Sequence, residues 1–194
     1  MLPTLKLLEN TDFPQIKRAQ LHTLQINLGY LCNQSCVHCH VNAGPTRTEL
    51  MSKAHIDMVI DVLKVRKIHT LDLTGGAPEM NPHFKYLVAK ARAIGVHVID
   101  RCNLTILFEP GYEDLADFLA AHDVEVVASL PCYSADNVDK QRGKGVFDKS
   151  VAGLQALNAL GYGNGRLKLS LVYNPQGPSL PPNQQSLEQQ YKHE

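Results

Sequence analysis

Apolar residues recur along this chain with two alternating periods. Leu24, Ile26 and Leu28 alternate with polar neighbours, the spacing of a strand with one covered face. After Ser52, a good helix cap, Ile56, Val59, Ile60 and Leu63 fall on one face of a helix. The two patterns then take turns. Ile68–Leu73, Val96–Asp100, Val124–Leu130 and Leu167–Tyr173 predict four more strands, the third of them a near-continuous apolar run suited to a parallel strand covered on both faces. Between them lie a helix from Asn81 and Pro82 to Gly95 with Phe84, Leu87, Val88 and Ala91 inward, and one after Pro110-Gly111 carrying Leu115, Phe118 and Leu119. A further helix spans Asp148–Leu160 and stops at Gly161. Pro131–Val146 reads as a long loop, and a polar helix begins at Gln184, beyond Pro181 and Pro182.

This β-α-β-α order predicts an α/β fold with a parallel sheet and right-handed crossovers. Residues 1–21, broken by Pro3 and Pro14, form a lead segment without chemistry; residues 22–194 form one domain, long enough to bury a sizeable core. Nineteen basic and nineteen acidic residues balance to a formal charge of zero, so no nucleic-acid surface is expected. The first twenty residues hold no apolar run suited to a signal peptide or membrane span. Five cysteines without such a signal point to a reducing cytoplasm, where clustered thiols serve as metal ligands.

Three of those cysteines change the picture. Cys32, Cys36 and Cys39 stand in a C-x3-C-x2-C pattern in the loop after the first strand. Three thiolates on one short loop can hold three corners of a [4Fe–4S] cube and leave the fourth iron open to a substrate or cofactor. The competing assignment is a structural zinc site completed by His38 or His40. One βα unit later the second strand runs into Gly75-Gly76, where two glycines let the backbone approach a ligand closely. Asn103, Ser129 and Asn174 follow later strands, and in parallel βα folds that end of the sheet is where ligands bind.

The cysteine loop, followed by Gly75-Gly76-Ala77-Pro78-Glu79, resembles the radical SAM enzymes. The resemblance implies a partial (β/α)6 TIM-like barrel, here truncated after strand five. It also implies a [4Fe–4S] cluster whose open iron chelates S-adenosylmethionine, and one-electron cleavage to a 5′-deoxyadenosyl radical, with a donor such as flavodoxin or ferredoxin. His38 stands where the family often has an aromatic residue against the adenine. Ala77 replaces the glutamate of the family's Gly-Gly-Glu-Pro, so the amino-group contact falls to backbone or to Glu79. Asn103 is similar to the family's ribose-binding asparagine, and Ser129 and Arg142 to its ribose- or carboxylate-binding residues. Arginine suits a carboxylate through its planar fork.

Four runs narrow the resemblance to the arsenosugar-biosynthesis radical SAM (radical SAM/Cys-rich) proteins. These are Asp100-Arg101-Cys102-Asn103-Leu104-Thr105, Ser129 to Ser134, Gln141 to Phe147, and Leu171 to Gly177. That resemblance implies transfer of the adenosyl group to a dimethylated trivalent arsenical, a small-molecule substrate. Cys102 and Cys132, each just past a strand, read either as small buried hydrophobes or as a cavity-facing thiol pair able to hold soft arsenic. The family's C-terminal cysteine-rich region is absent. Two other readings stand beside this one: a radical SAM enzyme modifying a peptide or another small molecule, and a non-catalytic iron–sulfur or zinc module.

Overall fold

The computed structural model describes residues 4–9, 11–14, 17–174 and 180–193. A short helix α1 (Thr4–Leu8) precedes β1 (Thr23–Asn27), α2 (Lys53–Val65), β2 (Thr70–Thr74), α3 (Phe84–Ala93), β3 (His97–Asp100) and α4 (Leu115–Ala121). The chain continues through β4 (Glu125–Ala128), α5 (Ala135–Arg142), α6 (Val146–Ala159), β5 (Leu169–Leu171) and α7 (Gln184–His193). The five strands are all parallel and lie in sequence order, β1-β2-β3-β4-β5, in a sheet that does not close on itself. This is the parallel α/β sheet expected from the alternating pattern, and its openness agrees with the partial barrel that the resemblance implies. Strands β3, β4 and β5 are one, three and four residues shorter than their apolar runs, whereas β1 and β2 are displaced from theirs by one or two residues.

Register gives the sheet two chemically different faces. Ile26, Leu73, Asp100, Val126 and Leu169 lie in one row across all five strands, beside the row Leu24, Leu71, Val98. On this face Leu71, Leu73, Val98 and Val126 are fully buried in the core that also takes Ile56, Leu63, Phe84 and Leu87 from α2 and α3. The other face carries Gln25, Asp72, Ile99 and Val127. Burial along β4 therefore alternates instead of covering both faces, as the apolar run had suggested.

Punctuation residues do more than end helices. Ser52 caps α2 through its hydroxyl, which accepts from the His55 N–H at 3.4 Å. Gly95 follows α3 with φ +80°, where glycine is unstrained. Asn81 sits three residues ahead of α3 instead of at its first turn. Its Oδ1 accepts from the His83 N–H, while its Nδ2 donates to the Leu28 and Met51 carbonyls, each at 2.9 Å. Buried at 2% exposure, it bolts the start of α3 to the end of β1. Helix α5 lies inside the stretch read as a loop. It is polar nearly all round, with Ala135 and Val138 its two apolar side chains, so no stripe marks it. No helix among the described residues is long and apolar enough to cross a membrane.

Candidate active site

The cysteine loop leaves β1 at Asn27, whose Oδ1 accepts the Gly29 N–H at 2.8 Å. The Cys32 N–H donates to Gly44 O at 3.2 Å, and the Gly44 N–H to Tyr30 O at 3.1 Å. Cys36 and Cys39 share a turn in which the Cys39 N–H donates to Cys36 O. The turn after β2 docks on this loop: Gly76 N–H to Gly29 O and Ala77 N–H to Leu31 O, both 2.9 Å. A Cβ on Gly75 would stand 2.6 Å from Gly29 O; one on Gly76 would stand 2.5 Å from Leu31 O and 3.0 Å from Cys32 Cβ. The close approach of the cysteine loop by itself requires the two glycines.

All three loop cysteines face one cavity of about 340 Å³ at the C-terminal ends of the strands. Gly75, Gly76, His38, Asn103, Ser129 and Arg142 line it too, nine of the fourteen residues singled out from the sequence. The sulfurs receive hydrogen bonds: Gln34 N–H and Asn103 Nδ2 donate to Cys32 Sγ at 3.4 and 3.7 Å, and Ala43 N–H to Cys39 Sγ at 3.3 Å. Burial pushes the Cys32 thiol up, and the Gln34 N–H opposes that shift. Such bonds are a means by which a protein tunes a metal–sulfur cluster.

Sulfur spacing bears on which metal fits. A tetrahedral zinc with Zn–S near 2.3 Å draws its sulfurs to within about 4 Å of one another. Among the described residues, the trio of His, Cys, Asp or Glu with ligand atoms mutually within 4.8 Å is Glu79, Asp100 and Cys102, not the loop cysteines. The loop thiols line one cavity with His38 and His40 without closing to that spacing, as a cube whose cysteines bind separate irons requires.

Helix α5 supplies the opposite wall. Val37 N–H donates to Gln141 O at 3.0 Å, and Arg142 Nη1 donates to Ser129 O, so the end of α5 joins the cysteine loop to the end of β4. Arg142 is 7% exposed and its Nε has no partner. Partial burial and then the Arg142 charge push the His38 imidazole pKa down, favouring its neutral form. Asn103 is held on both sides: Nδ2 donates to Asn33 Oδ1 at 2.7 Å, and Oδ1 accepts Ile106 N–H at 3.0 Å. Next to it Leu104 has φ +64°, ψ −41° and its flanking groups close a Thr105 N–H to Asn103 O bond of 2.8 Å. This is a γ-turn of the rare positive-φ kind, a strained backbone beside the site.

Five expected residues lie elsewhere. Asp100 and Cys102 share the helix-side face by strand alternation, so Cys102 is fully buried and does not line the cavity. Glu79 is turned the same way, within 4.8 Å of both, and does not line the cavity. Cys132 is buried beside Asn137 and Ser134, also off the cavity, so the two thiols form no cavity-facing pair. Ala77 is 3% exposed, its N–H spent on Leu31 O. Asn174 is exposed; its N–H donates to Pro131 O and its carbonyl accepts from Gln141 Nε2. Residues 175–179, the end of the run Leu171 to Gly177, lie outside the described residues.

The cavity-side sheet face adds residues that pattern reading passed over. Arg101 Nε and Nη2 grip the two oxygens of Asp72 at 2.8 Å each, and Gln25 Nε2 donates to Asp72 Oδ2 at 2.7 Å. Gln25, Thr74 and Arg101 line the cavity. Their signal was present in Thr23-Leu24-Gln25-Ile26-Asn27 and Thr70-Leu71-Asp72-Leu73-Thr74, where every polar residue falls on one face.

Comparison with known proteins agrees with this layout. The family described as "Radical SAM superfamily" matches residues 26–175. Mycofactocin maturase MftC of Mycobacterium tuberculosis is 35% identical over 146 residues, covering 75% of this chain and 36% of the relative. A probable GTP 3′,8-cyclase of Saccharolobus islandicus is 27% identical over 155 residues, covering 79% and 48%. The chain thus spans between a third and a half of these curated relatives. Among solved structures, Streptococcus suis SuiB bound to S-adenosylmethionine superposes with a TM-score of 0.65 at 15% identity, over 81% of this chain and 36% of that one. The anSMEcpe structure with bound AdoMet gives 0.63 at 19% identity, over 79% and 43%. None of these four is an arsenosugar enzyme.

Proposed function

This chain belongs to the radical SAM superfamily, with the [4Fe–4S] cluster and S-adenosylmethionine that the family uses, and from that premise we propose that it modifies a peptide or small molecule by radical chemistry. The observation that carries this is one cavity that takes three thiols, two strand-end glycines and a buried arginine from separate elements. When bound, the cluster supplies one electron that splits the sulfonium and yields a 5′-deoxyadenosyl radical.

The chain's own residues hold and orient. Cys32, Cys36 and Cys39 are the metal ligands, and the N–H groups of Gln34 and Ala43 stabilise negative charge on two of them. Arg142, with Nε unpaired, is placed to take the cofactor's carboxylate, beside the Ser129 hydroxyl. Asn103 positions the cysteine loop through Asn33 and Cys32 and lines the part of the cavity proposed for the ribose. His38, kept neutral, is the wall for the adenine. Arg101, anchored by Asp72, faces the cavity from the sheet and is the contact for a polar or anionic group of the substrate. A one-electron donor such as flavodoxin or ferredoxin completes the reaction.

The relatives favour a modifying enzyme of this broad kind: one is named a maturase and another a cyclase. Transfer of the adenosyl group to a dimethylated trivalent arsenical is the second reading. It is supported by the runs Asp100 to Thr105, Ser129 to Ser134 and Gln141 to Phe147, each of which gives the cavity a lining residue. The two readings separate on product analysis. Anaerobically reconstituted protein with reductant and S-adenosylmethionine is expected to release 5′-deoxyadenosine in both. Addition of dimethylarsinous acid diverts it to an adenosyl-arsenical only in the second. Failure to form 5′-deoxyadenosine at full iron content would overturn both.

A further inference from the structure

Glu79, Asp100 and Cys102 meet on the side of the sheet away from the cavity. Glu79 comes from the short 3-10 turn Pro78–Met80, Asp100 ends β3, and Cys102 lies two residues on. One donor atom from each lies within 4.8 Å of the other two. Exposures are 4%, 0% and 0%, among the most thoroughly buried polar groups in the chain. The four carboxylate oxygens have no partner outside this trio and the local backbone: Glu79 lies in reach of Asp100, Cys102 and its own N–H, and no Lys, Arg or His acts on either carboxyl. The thiol has one fixed bond, accepted from the Leu104 N–H at 3.3 Å.

Burying two carboxyl groups without outside partners is costly, and burying them as anions far more so unless a cation neutralises them. A proton shared between the two acids would relieve part of the cost but leaves the sulfur unused. A divalent cation uses all three donors at once. Two carboxylates and a thiolate form a mixed oxygen–sulfur set, within the range that zinc accepts and unlike the all-oxygen sets of calcium or magnesium. We propose that Glu79, Asp100 and Cys102 form a second, structural metal site that binds one zinc ion inside the fold. Uptake displaces the thiol proton and any proton on the carboxyl groups into solvent, and carboxylate oxygens bound in pairs complete the ion's shell. The site ties the turn after Gly75-Gly76 to the strand end carrying Asn103, the two segments that bracket the cysteine loop. Its task is to hold those walls at fixed separation.

The test is a metal count on protein in which the cluster cannot interfere. The variant Cys32→Ala/Cys36→Ala/Cys39→Ala, dialysed against Zn2+ and then freed of loose metal, is expected to keep one zinc per chain. Adding Glu79→Gln or Cys102→Ser lowers that at least tenfold. With Co2+ in place of Zn2+, a thiolate-to-cobalt absorption appears and is lost with Cys102→Ser. A folded triple variant holding less than a tenth of an equivalent overturns the proposal in favour of a shared proton. Zinc that survives both Glu79→Gln and Cys102→Ser overturns it as an adventitious surface ion. Should the triple variant not fold, the wild-type chain with its loop thiols occupied by four irons is counted instead. One zinc beside those irons supports the site; less than a tenth overturns it. Neither result depends on cleavage of S-adenosylmethionine.

Discussion

Gly76 and Arg142 illustrate how single residues tie the site together. A methyl group at Gly76 meets Leu31 O at 2.5 Å and Cys32 Cβ at 3.0 Å, and both are held by backbone hydrogen bonds. Gly76→Ala is expected to cost about 1–3 kcal/mol in denaturant unfolding, the usual cost of overpacking, and to lower iron incorporation. Arg142 acts differently, because its charge faces the cavity. Arg142→Ala should raise the concentration of S-adenosylmethionine needed for half-maximal cleavage roughly 10–100-fold, the worth of one or two charge-assisted hydrogen bonds. Arg142→Lys should recover part of the loss, and titration of 5′-deoxyadenosine formation checks both. At this scale the cavity-lining cysteines and glycines were legible because their types and spacing carry the chemistry. Which way Cys102 and Glu79 turn was not. That depends on strand register and on a γ-turn at Leu104, neither of which leaves a mark in residue type.

Elements with an apolar stripe were readable and those without one were not. Strands β1 to β5 and helices α2, α3, α4 and α6 follow their periodicity because burial decides their position. Leu87→Ala, at 0% exposure on α3, is therefore expected to cost about 2–5 kcal/mol in the same unfolding measurement. Helix α5 answers to polar contacts instead, and sequence pattern is silent on these. Its Asp139 carboxylate accepts the Gly145 N–H at 2.7 Å and the Phe147 N–H at 3.0 Å, which joins α5 to α6. Those bonds hold the Asp139 pKa below its ordinary value. The folded state thus favours the ionised form, and the contribution is full above about pH 4 and lost as pH falls through the lowered pKa. Hydrogen exchange at the Gly145 and Phe147 amides should speed up, beyond the intrinsic trend, below about pH 4 and not between pH 5 and 8. Asp139→Asn should show the faster exchange at every pH.

At the scale of the whole molecule, a five-stranded parallel sheet brings distant polar clusters to one end, as in other βα folds. Among its described residues the lead segment adds none to the cavity at that end, and its residues 6–9, 11–14 and 17–21 are exposed. Deleting residues 1–20 is expected to change unfolding free energy by less than about 1 kcal/mol. Fold class and the place of the cysteine loop could be read from the chain because rhythm and spacing are local properties. The substrate could not, since Gln25, Asp72 and Arg101 meet only through pairing across three strands. What the account rests on is a cluster held by three cysteines with one iron open to S-adenosylmethionine. The most direct test is the electron paramagnetic resonance spectrum of the anaerobically reduced protein before and after the cofactor is added. The account predicts a [4Fe–4S]+ signal that shifts on addition and disappears in Cys36→Ala. A signal that S-adenosylmethionine leaves unmoved in protein carrying four irons would contradict it.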